Sequence, residues 1–120
     1  MNYLFSYYTV SGYSLFVLAV SLLPVRAPEQ LNFIFADKFS HLIMYGLFSF
    51  LLINLLHIKR KVNPWAKSFL FIFCFGSVIE VIQHFLPFRD FEIWDIVFNV
   101  IGWFLGCFLI VVPNHYLKNE

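Results

Sequence analysis

Charged and amide side chains are concentrated in two stretches of an otherwise apolar chain. The first is Asp37-Lys38-x-x-His41-x-x-x-Tyr45. The second runs Glu80-x-x-Gln83, then Pro87-x-Arg89, then Asp95-x-x-x-Asn99-x-x-Gly102-x-x-x-Gly106. Two kinds of chemistry suit these residue types. Glu80 and His41 are a carboxylate and an imidazole able to give and take a proton, with Asp95 or Asp37 to orient the imidazole. Lys38 and Arg89 can pair a phosphate or a carboxylate, while Asn99 and Gln83 can read amides or hydroxyls, with Asp37 and Tyr45 completing a ligand-facing set. Asp37, His41, Glu80 and Asp95 are also hard metal donors. They lack the paired His spacing that makes zinc motifs specific, so no metal and no cofactor is expected.

The elements that must hold these residues follow from composition. The chain has 120 residues, 61% of them hydrophobic and only 12% charged. Its mean hydropathy is +0.79. A soluble domain carries about 25% charged residues, so the composition points to a membrane protein. Four apolar runs, about 4–23, 39–58, 65–86 and 93–112, each approach the ~20 residues that cross a bilayer core. They use most of the chain. The expected fold is therefore all-α, a transmembrane four-helix bundle forming a single domain over 1–120. The first run has no basic residue before Arg26. It is also too long for the apolar region of a signal peptide, and it reads as a retained helix.

Local signals mark the helix ends. Pro24 and Pro28 close the first helix, and Asp37 suits the cap of the second. Asn63-Pro64 reads as a cap followed by proline at the first helical position of the third. Pro87 stops the third helix and Pro113 the fourth. Cys74 and Cys107, within the last two spans, read as small buried apolar residues.

Helical spacing then places the polar groups. Asp37, His41 and Tyr45 share one face of the second helix, at i, i+4 and i+8. Asp95, Asn99, Gly102 and Gly106 share one face of the fourth, and Glu80 and Gln83 share one face of the third. His41, Asn99, Glu80 and Gln83 lie within one or two turns of the same end of the bundle. An ionisable group facing the bilayer centre costs about 2.5–3.5 kcal/mol on insertion scales, so these faces turn inward and form a polar cup. Gly102 and Gly106 allow a neighbouring helix to approach closely. Simpler roles stay open: Asp37 as a cap, Asp95 as a first-turn acid, Asn99 and Gln83 as interhelical glue. Glu80 lies too deep to cap anything, and Arg89 or His41 could pair with it.

Loop charge orients the bundle. Lys59, Arg60, Lys61, Lys67 and Lys118 fall on one side, and Arg26, Lys38 and Arg89 on the other. The positive-inside rule puts both termini in the cytoplasm and the polar cup at the outer face. No basic stripe with interleaved aromatics points to nucleic acid.

Taken together, the stretches from Asp37 to Tyr45, Glu80 to Arg89 and Asp95 to Gly106 closely resemble the signature of the VanZ-like family of bacterial membrane proteins. Pro24 fits the same pattern, and Glu92 stands where a small polar cap is more usual. The family takes its name from a protein associated with teicoplanin resistance. The resemblance implies an integral protein of the bacterial cytoplasmic membrane with a cell-envelope role, without implying a particular reaction. Three functions follow as expectations. The cup binds a membrane lipid, a lipid-linked envelope precursor or a lipophilic antibiotic. Alternatively, Glu80, His41 and Asp95 catalyse transfer or hydrolysis at a lipid-linked phosphate or sugar. In the third, the chain is a structural or assembly subunit, and a homo-oligomer is compatible with so small a bundle.

Overall fold

A computed structural model describes residues 6–22, 36–87 and 93–118, with side chains for 6–22, 38–87 and 93–113. The fold is all-helical: α1 (Tyr7–Leu22), α2 (Ala36–Ile58), α3 (Pro64–His84) and α4 (Ile93–Lys118). Residues 38–58, 64–84 and 93–113 are each long and apolar enough to cross a membrane. This makes the chain a multi-pass membrane protein. The described part of α1 has 16 residues. At 1.5 Å per residue it is ~24 Å long, shorter than the run 4–23 suggests.

Contacts at the two ends fix the directions of the helices. The C-terminal ends of α1 and α3 meet, because Gln83 Nε2 donates to the Ser21 carbonyl at 2.6 Å. The N-terminal ends of α2 and α4 meet at the same end, where Lys38 Nζ donates to Asp95 Oδ1 at 2.7 Å. At the opposite end Lys59 Nζ lies 5.1 Å from the centre of the Tyr7 ring. Neighbouring helices in sequence therefore run antiparallel.

In a bilayer, lipid tails are as apolar as leucine, so close backbone packing and interhelical hydrogen bonds hold helices together. Both are present. α2 and α4 form the tightest seam, with Gly46, Gly102 and Gly106 all buried. A Cβ added at Gly102 would lie 2.8 Å from the Leu42 carbonyl oxygen. One at Gly106 would collide with Ser49 Oγ and come within 2.6 Å of the Gly46 carbonyl oxygen. Single polar ties join the other helices. Tyr13 donates to the Met44 carbonyl at 2.6 Å, joining α1 to α2. Trp103 Nε1 donates to Ser68 Oγ at 2.9 Å, joining α4 to α3. Between α1, α2 and α3 sits an aromatic core around the fully buried Phe48. Its ring packs edge-on to Tyr13 and Phe75, with centroids 5.5 and 5.3 Å away. Leu15, Phe16, Ile43, Leu47, Phe73, Phe104 and Phe108 face outward, where lipid would cover them.

Several local expectations need correction. Helix α4 passes through Pro113 and continues to Lys118. Proline removes one backbone donor, but its fixed φ is compatible with a helix, so a single proline need not end one. Asn63 does precede Pro64 at the start of α3, but it caps by conformation. It takes a left-handed φ of 53° and makes no side-chain cap bond. Asp37 is the second residue of α2 and not the residue before it. Cys74 is exposed and Cys107 half-buried, so neither is a buried core residue. Pro24, Pro28, Arg89 and Glu92 lie outside the described residues.

Candidate functional site

Three helix ends build one polar cluster. Lys38 is the third residue of α2, with His41 one turn deeper. Asp95 is the third residue of α4, with Asn99 one turn deeper. Glu80 and Gln83 occupy the last turns of α3. One turn is ~5.4 Å, so the residues lie at matching depth. Glu80 is 0% exposed, Asn99 2%, Asp95 4% and His41 8%. Burial this deep separates the cluster from ordinary helix-end polarity, which stays wet.

The hydrogen bonds run from the rim inward. Lys38 Nζ pairs with Asp95 Oδ1 at 2.7 Å, and both side chains are nearly buried. His41 Nδ1 lies 2.9 Å from Asn99 Oδ1. An amide oxygen only accepts, so Nδ1–H is the donor and Nε2 faces the other way. There it lies 3.8 Å from Asp95 Oδ2. A Glu80 carboxylate oxygen joins this pair. One donor atom each from His41, Glu80 and Asp95 lie within 4.8 Å of one another. The Tyr45 ring stacks parallel below the His41 ring, with centroids 6.1 Å apart. Tyr45 is 1% exposed and forms the apolar floor of the cluster.

Gly76 is part of this architecture. A Cβ there would come within 2.6 Å of Asn99 Nδ2. The missing side chain of Gly76 is what lets Asn99 sit against α3 and reach His41. Gly46 on α2 has the same kind of role in the seam, beside Gly102. Sequence reasoning singled out neither glycine. The signal was present: small residues sit at depths matching Asn99 and Gly102 on the facing helices.

Of the residues expected at the site, the structure brings together Lys38, His41, Tyr45, Glu80, Asp95 and Asn99. Gln83 is buried nearby, but its amide nitrogen is committed to the Ser21 carbonyl. It ties α3 to α1. The Asp37 side chain and Arg89 lie outside the described residues, as do residues 23–35 and 88–92 as a whole. Gly102 and Gly106 lie in the α2–α4 seam, as their spacing predicts. His84 is exposed in the last turn of α3. A separate apolar groove of about 510 Å³, lined by Leu18, Phe71, Cys74 and Ile79 among others, lies between α1 and α3 and shares no residue with the cluster.

This arrangement can hold and move a proton between His41, Glu80 and Asp95, and it can present a cation at its rim through Lys38. Comparison with curated proteins and with solved structures returned no match. A family model described as VanZ/LLP1 matches residues 3–114. That range includes all four helices through Pro113 and every residue of the polar cluster, and the chain therefore belongs to the VanZ/LLP1 family.

Proposed function

We propose that the polar end of the bundle binds the head group of a lipid-linked or lipophilic cell-envelope molecule from the outer side of the membrane. The burial of Lys38, His41, Glu80, Asp95 and Asn99 together at one helix-bundle end carries this reading. Intramembrane ionisable residues are costly, and packing alone is met here by glycines and single hydrogen bonds elsewhere in the fold. Lys38 and Arg89 would meet the anionic part of the head group, while His41 and Asn99 would meet its hydroxyl or amide groups. Acyl chains would lie along the outward Phe, Leu and Ile faces. Native mass spectrometry of the purified chain tests the idea. One amphiphile bearing a phosphate or sugar head group should be retained per chain.

The convergence of one donor atom each from His41, Glu80 and Asp95 favours a second reading, catalysis on the same molecule. In it, one of His41 and Glu80 takes the proton of an attacking water or hydroxyl, and the other protonates the leaving oxygen as a lipid phosphate-ester or glycosidic bond breaks. Lipid retained by a variant that has lost its envelope phenotype would distinguish catalysis from binding alone.

The outward orientation is part of the proposal. Lys59, Arg60, Lys61 and Lys67 crowd the opposite end, and Lys38 is drawn into its pair with Asp95. The positive-inside rule counts Lys and Arg near the span ends, and the compact Lys59-Arg60-Lys61 block supports a cytoplasmic location for the opposite end. A reporter fused after Glu120 should be active only in its cytoplasmic form. Activity of a periplasmic or extracellular reporter would put the cluster on the inner side.

A further inference from the structure

We propose that His41, Glu80 and Asp95 together bind one divalent transition-series cation of the manganese or zinc type. The donors would be His41 Nε2 and one carboxylate oxygen each from Glu80 and Asp95. This site goes beyond head-group binding and does not depend on it.

The geometry carries the assignment. Three donors from three different helices, all more than nine-tenths buried, lie within 4.8 Å of one another. An ion with donors at ~2.0–2.2 Å holds any two of them roughly 3–4.4 Å apart, so modest side-chain rotation closes the set. The 3.8 Å between His41 Nε2 and Asp95 Oδ2 is too long for a direct hydrogen bond and suits two donors that share a cation.

The surrounding bonds make an independent argument. Metal-ligating imidazoles almost always donate their other N–H to a fixed acceptor, and ligating carboxylates are themselves hydrogen-bonded. Both features occur here. Asn99 Oδ1 accepts from His41 Nδ1 at 2.9 Å, which leaves Nε2 on the side of Asp95 Oδ2, 3.8 Å away. Lys38 holds Asp95 Oδ1 at 2.7 Å and leaves Oδ2 facing His41. Gly76 in turn leaves the space that Asn99 needs. The outer partners thus orient two of the three ligands.

Donor chemistry narrows the ion. Magnesium and calcium prefer oxygen alone, and soft ions prefer sulfur. One imidazole with two carboxylates suits manganese or zinc. Three protein donors leave coordination positions for water or for an oxygen of a phosphate, so the ion would strengthen the same site's preference for a phosphorylated head group. The donors come from three different helices, so no short sequence motif announces them.

The test uses the full chain in detergent, stripped of metal and titrated with Mn2+, Zn2+ or Mg2+ alone. One equivalent of Mn2+ or Zn2+ should bind, and Mg2+ should bind at least 10-fold more weakly. His41→Ala and Glu80→Gln should abolish binding, and Asn99→Ala should weaken it about 10–100-fold, as loss of an outer partner does elsewhere. Pulsed electron paramagnetic resonance of the Mn2+-loaded wild-type protein should show coupling to an imidazole nitrogen. That readout does not require any variant to fold. Absence of stoichiometric binding, absence of nitrogen coupling, or unchanged binding in His41→Ala would overturn the proposal. A chain that binds no ion but retains a lipid with a polar head group would remove the ion and leave the binding function standing. A chain that binds the ion but retains no lipid would do the opposite.

Discussion

Gly106→Ala is expected to destabilise the bundle more than any other single methyl group added to it. The new Cβ meets Ser49 Oγ, the Gly46 carbonyl oxygen at 2.6 Å and the Phe50 nitrogen at 3.0 Å. Two of these are backbone atoms of α2, which cannot rotate away, so the helices must separate. Overpacking of this kind costs about 1–3 kcal/mol and sometimes more. Separation would also strain the bond from Ser49 Oγ to the Trp103 carbonyl, now 3.3 Å, and lose close contacts along the whole seam. Gly102→Ala meets the Leu42 carbonyl oxygen at 2.8 Å and should follow closely. Gly46→Ala meets mainly the flexible Leu105 side chain at 3.2 Å and should be milder. Gly12 has nothing within 4 Å. Gly12→Ala should be neutral or slightly stabilising, because alanine is the better helix former by up to about 1 kcal/mol. Thermal aggregation of the four variants, followed by size-exclusion chromatography in detergent, should rank them Gly106, Gly102, Gly46, Gly12. A Gly106→Ala protein as heat-resistant as Gly12→Ala would contradict the α2–α4 packing described above.

Asp95→Asn should carry the second large effect. Lys38 loses a 2.7 Å ionic partner while its side chain stays only 12% exposed. Removing one member of a buried pair costs about 3–5 kcal/mol, because the remaining charge loses its compensation. Here the loss should be near the lower end. Lys38 lies in the first turn of α2, and its long side chain can reach toward the surface. Lys38→Met should also destabilise, since it leaves Asp95 with His41 at 3.8 Å and Glu80 nearby. The double variant Lys38→Met/Asp95→Asn should recover much of the loss, because both charges leave together. A double-mutant cycle on unfolding midpoints measures this coupling. Additive losses would show that the pair is not energetically linked.

The sequence made the helix faces legible more readily than the contacts between them. His41, Glu80, Asp95 and Asn99 could be assigned to inward faces because burying charge in lipid is expensive and helical periodicity is regular. Their common depth followed from counting residues from the span ends. The pairing did not follow. His41 was one of two candidate partners for Glu80, but nothing local tied Lys38 to Asp95 or Asn99 to His41. Those bonds depend on how α2 and α4 rotate against each other. That rotation is set by Gly46, Gly76 and Ser49 as well as by Gly102 and Gly106, and only the last two form a familiar spacing. Gln83 was legible both as a ligand contact and as interhelical glue, but its particular reach to Ser21 required knowing that α1 ends beside α3. Pro113 misled for a local reason, since a proline can mark a helix end or merely remove one bond. Cys74 misled because a membrane protein's apolar exterior looks, in sequence, like its interior.

The role proposed for the cluster is to receive a polar head group, and one comparison tests that directly. Wild-type protein and Glu80→Gln are purified in the same mild detergent and compared by native mass spectrometry with identification of any bound amphiphile. Glu80 is chosen because it is the most deeply buried ionisable group among the described residues, at 0% exposure, and Gln keeps its size. Wild type should retain one amphiphile per chain with a phosphate or sugar head group. Glu80→Gln, eluting as the same folded species, should lose most of that occupancy. A wild-type chain that carries no such molecule, or a Glu80→Gln chain that carries it at equal occupancy, would contradict the account.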